Sequence, residues 1–257
     1  MNPEISVVMP ALNEEANIRA AAAAVLAAFD RFGAAGELVV VDDGSRDRTG
    51  ELVRELQTFD PRVNLMRHPE PLGIGASFWD GVSVARGELV VMMPGDGENE
   101  PAEMLRYLAL GREVDLVVPF IYNRQVRSTA RNRISSLYRW IINVSFRVNF
   151  RYTNGTVLYR RSVLRDLELR SRGFFYQTEL LVKLVRRGYL YAEVPCRLGA
   201  RSTGRSKALT LASLRKVAAG YLALMREVYF RGAGPAPEPV PDSATGRRAR
   251  EAALRKE

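Results

Sequence analysis

Three acidic pairs carry most of the chemistry available to this 257-residue chain: Glu14–Glu15, Asp42–Asp43, and Asp96 with Glu98 two positions on. One His, His68, leaves almost no room for a His-based triad or a multi-His zinc site. One Cys, Cys196, rules out an intrachain disulfide and a Cys-rich metal site. Catalysis must therefore run on carboxylates, Arg, Lys, backbone groups and, where one is needed, a hard metal ion. Arg is plentiful. Lys and Arg total 38 against 29 Asp and Glu, a net charge of +9. Such an excess attracts polyanions: nucleic acid, anionic lipid headgroups or phosphorylated small molecules.

Each acidic pair follows a segment that reads as a strand. Ile5–Met9 is a β-rich run that stops at Pro10. Asn13 then caps an Ala-rich helix to about Phe32, with Glu14 and Glu15 at its positive end, and Gly33 and Gly36 close it. Leu38–Val41 is a second strand, followed at once by Asp42-Asp43-Gly44-Ser45 and a helix from about 47 to 58. Val63–Met66 is a third strand. The Gly-rich loop Leu72-Gly73-Ile74-Gly75-Ala76 leads into a helix to Arg86. Glu88–Met93 is a fourth strand, broken by Pro94-Gly95-Asp96-Gly97. Strands that are apolar throughout, alternating with helices, indicate a parallel sheet covered on both faces. Ligands bind such sheets at the carboxyl ends of the strands, where the acidic pairs fall.

The second half is less regular. Strands are expected at Asp115–Pro119, Gly155–Tyr159 and Tyr189–Pro195, and helices at 128–147, 178–187 and 208–230. The 128–147 helix has a broad apolar face and four Arg, Arg131, Arg133, Arg139 and Arg147. It reads either as core packing with snorkelling Arg or as a surface for membrane contact. From Gly232 onward, four prolines at alternate positions and a charged stretch read as a disordered tail. One catalytic domain over 1–231 and a tail over 232–257 are expected. The longest apolar run, Ala20–Phe29, falls short of the ~20 residues that span a bilayer. The first residues lack the basic-then-apolar pattern of a signal peptide.

Val8-Met9-Pro10-Ala11-Leu12-Asn13-Glu14, Val41–Thr49, Gly73-Ile74-Gly75-Ala76 through Gly87, and Arg201-Ser202-Thr203-Gly204-Arg205-Ser206-Lys207 together resemble glycosyltransferase family 2 in order and spacing. Within it the chain looks most like the dolichyl- or polyprenyl-phosphate sugar transferases. The resemblance covers roughly residues 4–230. It implies a GT-A fold, a Rossmann-like, mostly parallel sheet with helices on both faces, here with amphipathic C-terminal helices. It also implies inverting transfer of a hexose from a nucleotide-diphospho-sugar, GDP-mannose or a UDP-sugar. The acceptor would be a polyprenyl phosphate at the inner face of the cytoplasmic membrane. The membrane would be reached by the 128–147 helix, the 208–230 helix or a separate membrane subunit.

The resemblance also implies roles for particular residues. Pro10, Asn13, Glu14, Asp42, Asp43, Gly73, Gly75, Arg201 and Lys207 would cradle the nucleotide-sugar. The family's Asp-x-Asp metal motif reads Pro94-Gly95-Asp96 here, so Asp96 matches its second acid and Glu98 lies two residues on. In an extended loop these two reach one Mg²⁺ or Mn²⁺, which prefers oxygen ligands and bridges to phosphate. Arg131 and Arg205 would bind the acceptor phosphate. The Ser-Arg that this branch carries after the fifth strand reads Phe120-Ile121, with Arg124 and Arg127 nearby. Asp96, Glu179 and Arg201 are the catalytic candidates. Glu179 would be the general base if the acceptor is a sugar or lipid hydroxyl. An ionised phosphate needs none. A third alternative is a non-catalytic nucleotide- or nucleic-acid-binding module, although no nucleic-acid motif is present.

Overall fold

A computed structural model describes residues 2–126, 128–197, 211–230 and 238–255. In chain order the elements are β1 (Ile5–Ala11), α1 (Ile18–Phe32), β2 (Gly36–Asp42), α2 (Thr49–Phe59), β3 (Val63–Arg67), α3 (Ile74–Val84) and β4 (Leu89–Met92). There follow α4 (Ala102–Leu105), α5 (Leu108–Glu113), β5 (Leu116–Ile121), α6 (Thr129–Phe146), β6 (Leu158–Arg160), α7 (Tyr176–Arg186), β7 (Tyr191–Cys196), α8 (Leu211–Phe230) and α9 (Ala244–Leu254).

The strands form one sheet in the order β3-β2-β1-β4-β6-β5-β7. All neighbours pair in parallel except β6, which runs antiparallel to both β4 and β5. Alternation along each strand divides the core into two layers. Val7 and Met9 of β1, with Leu38 and Val40 of β2, pack against α1. Val8, Val39 and Val41 face the other way, toward Phe78 of α3 and Leu180 and Leu184 of α7. A third cluster, Ile142, Phe146, Val182 and Leu224, joins α6, α7 and α8. The expected α/β architecture is therefore present, with β6 as its one antiparallel strand.

Two local expectations change. Helix α1 begins five residues after Asn13, which lies in the left-handed region at φ 56° and does not cap it. Asn13 instead joins two loops: its N–H donates to Ser45 Oγ (2.9 Å) and its Oδ1 accepts from the Arg46 N–H (2.9 Å).

The expected disordered tail also contains α9. Ser243 caps α9 by accepting from the Gly246 N–H (2.8 Å). The buried Asp115 carboxylate accepts from the N–H groups of Ala244 (2.6 Å) and Thr245 (3.1 Å) and from the Thr245 hydroxyl. A carboxylate at a helix N-terminus satisfies orphan amides and opposes the dipole. The partner lies 129 positions away, so local composition carries no sign of it. Asp115 also lies 3.8 Å from the buried Arg160 Nε. Asp115→Ala is expected to cost about 3 kcal/mol by leaving the first amides of α9 without their buried acceptor, while Arg160 keeps Glu88 and the Gly111 and Arg112 carbonyls. Thermal melts should register the loss, and limited proteolysis should cut within 238–255.

Candidate active site at the carboxyl ends of β1, β2 and β4

The loops that leave β1, β2 and β4 are bonded to one another. The Pro10 carbonyl accepts from the Gly95 N–H (2.9 Å) and the Ala11 carbonyl from the Asp43 N–H (2.8 Å). Three backbone turns therefore share one origin, and Pro10 is buried among them. Glu14 tightens the cluster. Its N–H donates to Thr49 Oγ1 (2.8 Å), and its carboxylate accepts from the Asn17 amide (2.8 Å).

Asp42 and Asp43 behave differently. Asp43 is buried and fully engaged. Its Oδ1 takes the Leu72 N–H and His68 Nδ1, both at 2.8 Å, and its Oδ2 takes the Gly73 N–H at 2.9 Å. The other His68 nitrogen lies 3.2 Å from Asp80 of α3. Asp43 thus anchors the loop after β3. Asp42 has no exposed surface. Its Oδ1 accepts from the Ser45 N–H (2.9 Å). Its Oδ2 has no aligned hydrogen bond, but the Arg67 Nε lies 3.1 Å away and supplies the opposite charge. Arg67 is 44% exposed and also donates to the Ser45 carbonyl (2.9 Å). With Ser45, Arg46, His68, Glu70 and Pro71 it lines a cleft of about 440 Å³. Asp42, expected to meet a nucleoside directly, reaches this cleft through Arg67, a residue the sequence reading did not single out.

The Gly-rich loop is not an open cradle. Gly73 has φ 102°, and a Cβ on it would fall 2.7 Å from the Arg172 carbonyl oxygen. A Cβ on Gly75 would meet the Ser171 carbonyl oxygen at 2.6 Å and Tyr176 Cβ at 2.8 Å. The Arg172 carbonyl itself accepts from the N–H groups of Gly75 (2.8 Å) and Ala76 (3.3 Å). The space that a side chain would need at these glycines is taken by the protein's own backbone.

Asp96 and Glu98 lie half-buried in the loop beyond β4, where the Glu98 N–H donates to Asp96 Oδ1 (3.0 Å). Among the described residues no three His, Cys, Asp or Glu side chains gather around one point. The donor set is thus two carboxylates on one short loop. It fits a Mg²⁺ or Mn²⁺ ion that draws its remaining oxygens from phosphates and water, as such ions do.

Glu179 stands apart on α7. Its carboxylate is 2% exposed and accepts from the Arg170 N–H (3.0 Å), the Ser171 N–H (2.9 Å) and Lys183 Nζ (2.8 Å). Burial pushes its pKa up, but the bonds from Lys183, Ser171 and Arg170 outweigh that and hold the carboxyl below the usual carboxylate range. A buried, ion-paired carboxylate held ionised is a poor proton acceptor for an incoming hydroxyl. The residue expected as a general base thus has both carboxylate oxygens engaged by Lys183 and the backbone of residues 170 and 171.

A second cleft, about 320 Å³, opens between the end of β5 and α6. Phe120, Asn132, Ser135, Arg139, Arg151 and Tyr152 line it. Arg151 stacks on Phe120, 4.9 Å from the ring centroid. Arg139 and Arg151 were not among the candidates. The expected Arg131 lies about two turns before Arg139 in α6, with its N–H 3.4 Å from the capping Ser128. Arg201, Arg205 and Lys207 lie outside the described residues, as does Arg127.

The protein-family model described as glycosyl transferase family 2 matches residues 6–168. The polyprenol monophosphomannose synthase of Mycolicibacterium smegmatis is 31% identical over 217 residues, covering 78% of this chain and 79% of that protein. The undecaprenyl-phosphate mannosyltransferase of Micrococcus luteus is 29% identical over 185 residues, 66% of this chain and 75% of that one. Among solved structures, glucosyl-3-phosphoglycerate synthase from Mycobacterium tuberculosis, in complex with Mn²⁺, UDP and phosphoglyceric acid, superposes with a TM-score of 0.63 at 24% identity. It covers 87% of this chain and 78% of that chain. The fold is GT-A.

Gly75→Ala provides a check on the loop. The new methyl meets backbone, so the ligand-free protein is expected to lose about 1–3 kcal/mol. A glycine needed only for ligand approach would leave the ligand-free melting temperature unchanged.

Proposed function

The chain belongs to glycosyl transferase family 2, and from that premise we propose that it moves a hexose, with inversion, from a nucleotide-diphospho-sugar to a polyprenyl phosphate. The donor is GDP-mannose or a UDP-sugar, and the site of action is the inner face of the cytoplasmic membrane. Both curated relatives are named for transfer of mannose involving polyprenol or undecaprenyl phosphate. The observation that carries the reading is the convergence of the β1, β2 and β4 loops through Pro10, Ala11, Asp43 and Gly95. It sets the loop that carries Asp96 and Glu98 beside the loop after β2.

In this reading the 440 Å³ cleft takes the nucleoside. Arg67 donates to acceptors on the base or ribose, and Asp42 holds Arg67 in place. Asn13, Glu14 and Asp43 fix the loops around it. Asp96 and Glu98 would hold Mg²⁺ or Mn²⁺, which neutralises the departing nucleoside diphosphate. Arg201, Lys207 and Arg205 supply further positive charge to the donor and acceptor phosphates.

The 320 Å³ cleft takes the acceptor phosphate. Arg139 and Arg151 offer planar guanidinium donors suited to phosphate oxygens, and Ser135 and Asn132 add neutral ones. Arg131 adds charge at the entrance. An ionised phosphate oxygen attacks without a base, which agrees with the commitment of Glu179 elsewhere. The hydroxyl-acceptor alternative lacks a base among these groups.

Membrane contact rests on α6. Ile134, Leu137, Trp140, Ile141 and Val144 are exposed together on its outward face, Leu137 at 58% and Trp140 at 61%. Arg133 and Arg147 border that face and suit anionic headgroups. No described helix is long and apolar enough to cross a membrane. A separate membrane subunit is a further means of attachment.

Asp96→Ala is expected to abolish transfer while the melting temperature of the ligand-free protein stays within a few degrees. Transfer at the wild-type rate would defeat the metal assignment. A thermal-shift panel of GDP, UDP and their sugars with Mg²⁺ or Mn²⁺ should stabilise the wild type by about 2.7 kcal/mol at a hundredfold excess over Kd. Arg139→Met is expected to raise the KM for polyprenyl phosphate about tenfold and leave the donor KM unchanged, the scale of one lost charge-assisted bond. An unchanged acceptor KM would remove the second cleft from the acceptor site.

A further inference from the structure

The carboxylate that the proposed reaction leaves without a chemical task is Glu179, yet it is among the most heavily bonded side chains in the molecule. Its three donors come from Lys183 and from the backbone of residues 170 and 171. Lys183 in turn donates to the Glu168 carbonyl (2.7 Å) and pairs with Glu227 of α8 (3.0 Å). One residue beyond Ser171, the Arg172 carbonyl accepts the N–H groups of Gly75 and Ala76. Those are first-turn amides of α3, which have no acceptor inside their own helix. On the other side of Gly73 the chain is held by Asp43, through the Leu72 and Gly73 N–H groups. Glu70 and Pro71, immediately before, form a wall of the nucleoside cleft. That wall packs so closely on Gly44 that a Cβ there would lie 2.7 Å from the Glu70 carbonyl carbon.

A continuous run of backbone bonds therefore leads from Glu179 to the cleft. We propose that Glu179 is a positioning residue for donor binding: it fixes residues 170–171 so that the Arg172 carbonyl seats the start of α3 and holds the 70–73 wall in place. The inference rests on the donor reading given above. It differs from the general-base role in what each variant should do. A base acts on the acceptor and governs turnover. A positioning residue on this path governs donor affinity.

Glu179→Gln keeps the volume but turns an amide N–H₂ toward groups that are themselves donors. The expected result is a donor KM and a GDP or UDP Kd raised about five- to tenfold, the scale of one lost hydrogen bond. The acceptor KM stays unchanged, and the limbs of the kcat–pH profile stay where they are. Amide hydrogen exchange should quicken at Gly75 and Ala76. Loss of a base would instead cut kcat by about 10²–10⁴ at constant donor KM and remove the acidic limb. Lys183→Met keeps the carboxylate and loosens the same path, so it should reproduce the donor effect, and it carries the test if Glu179→Gln does not fold. A folded variant with wild-type donor Kd and wild-type exchange at Gly75 and Ala76 overturns the proposal. Failure of the wild-type protein to bind either nucleoside diphosphate defeats the donor reading instead, and is seen before any variant is made.

Discussion

Buried at the end of β2, the Asp43 carboxylate accepts hydrogen bonds from His68, Leu72 and Gly73, while its own N–H donates to β1. A buried carboxyl group is stable only when such hydrogen-bond partners replace water. Asp43 therefore dictates where the loop after β3 must lie. Everything around the cleft lined by Arg67, Glu70 and Pro71 inherits that constraint. The loop carries Glu70 and Pro71 along one wall, and Asp42, one residue earlier, carries Arg67 along another. The parallel order of β2, β1 and β4 then brings the 95–98 loop to the same end of the sheet. The family's topology supplies the platform, and one buried carboxylate sets the shape of its rim.

Much of this was legible in the sequence because it is local. Unbroken apolar runs between helices give a parallel sheet, and acids placed just past those runs must lie at its carboxyl end. Strands at 38–41 and 63–66 fall within β2 and β3, and the expected helices reappear with ends shifted by a few residues. What sequence could not give is non-local. Gly73 and Gly75 read as openings for a ligand, yet the group that needs the space is a carbonyl some hundred positions away. Helix α9 has the composition of a disordered tail and is held by Asp115. Glu179 reads as an acid near an acceptor until its three donors are counted. In each case the residue type was read correctly and its partner was invisible.

The three arginines on the cleft walls illustrate a related point. A chain with this many Arg gives no local sign of which ones matter. Arg67, Arg139 and Arg151 stand out only because the fold places them on cleft walls, each held by a second contact: Asp42 for Arg67, the Arg151 carbonyl for Arg139, and the Phe120 ring for Arg151. A long cationic side chain loses rotamer entropy when it is fixed, so prior anchoring lowers the cost of binding an anion. Most of the remaining ion pairs are exposed and contribute little.

The same reasoning bears on the acceptor. A hydroxyl must lose a proton as it attacks, and the group that takes it needs an unoccupied lone pair within reach. Glu179 is buried, and each of its oxygens already accepts from Lys183 or a backbone amide. Asp43 is occupied in the same way, and Asp42 is enclosed beneath Arg67 and Gly50. The carboxylates that this fold buries near the site are thus committed to holding it together. In the proposed reaction a phosphate acceptor would arrive already ionised and ask only for positive charge, and Arg139 and Arg151 line the second cleft beside the apolar outer face of α6. In the proposed reaction these residues would serve to bind two phosphates and to neutralise the charge that leaves.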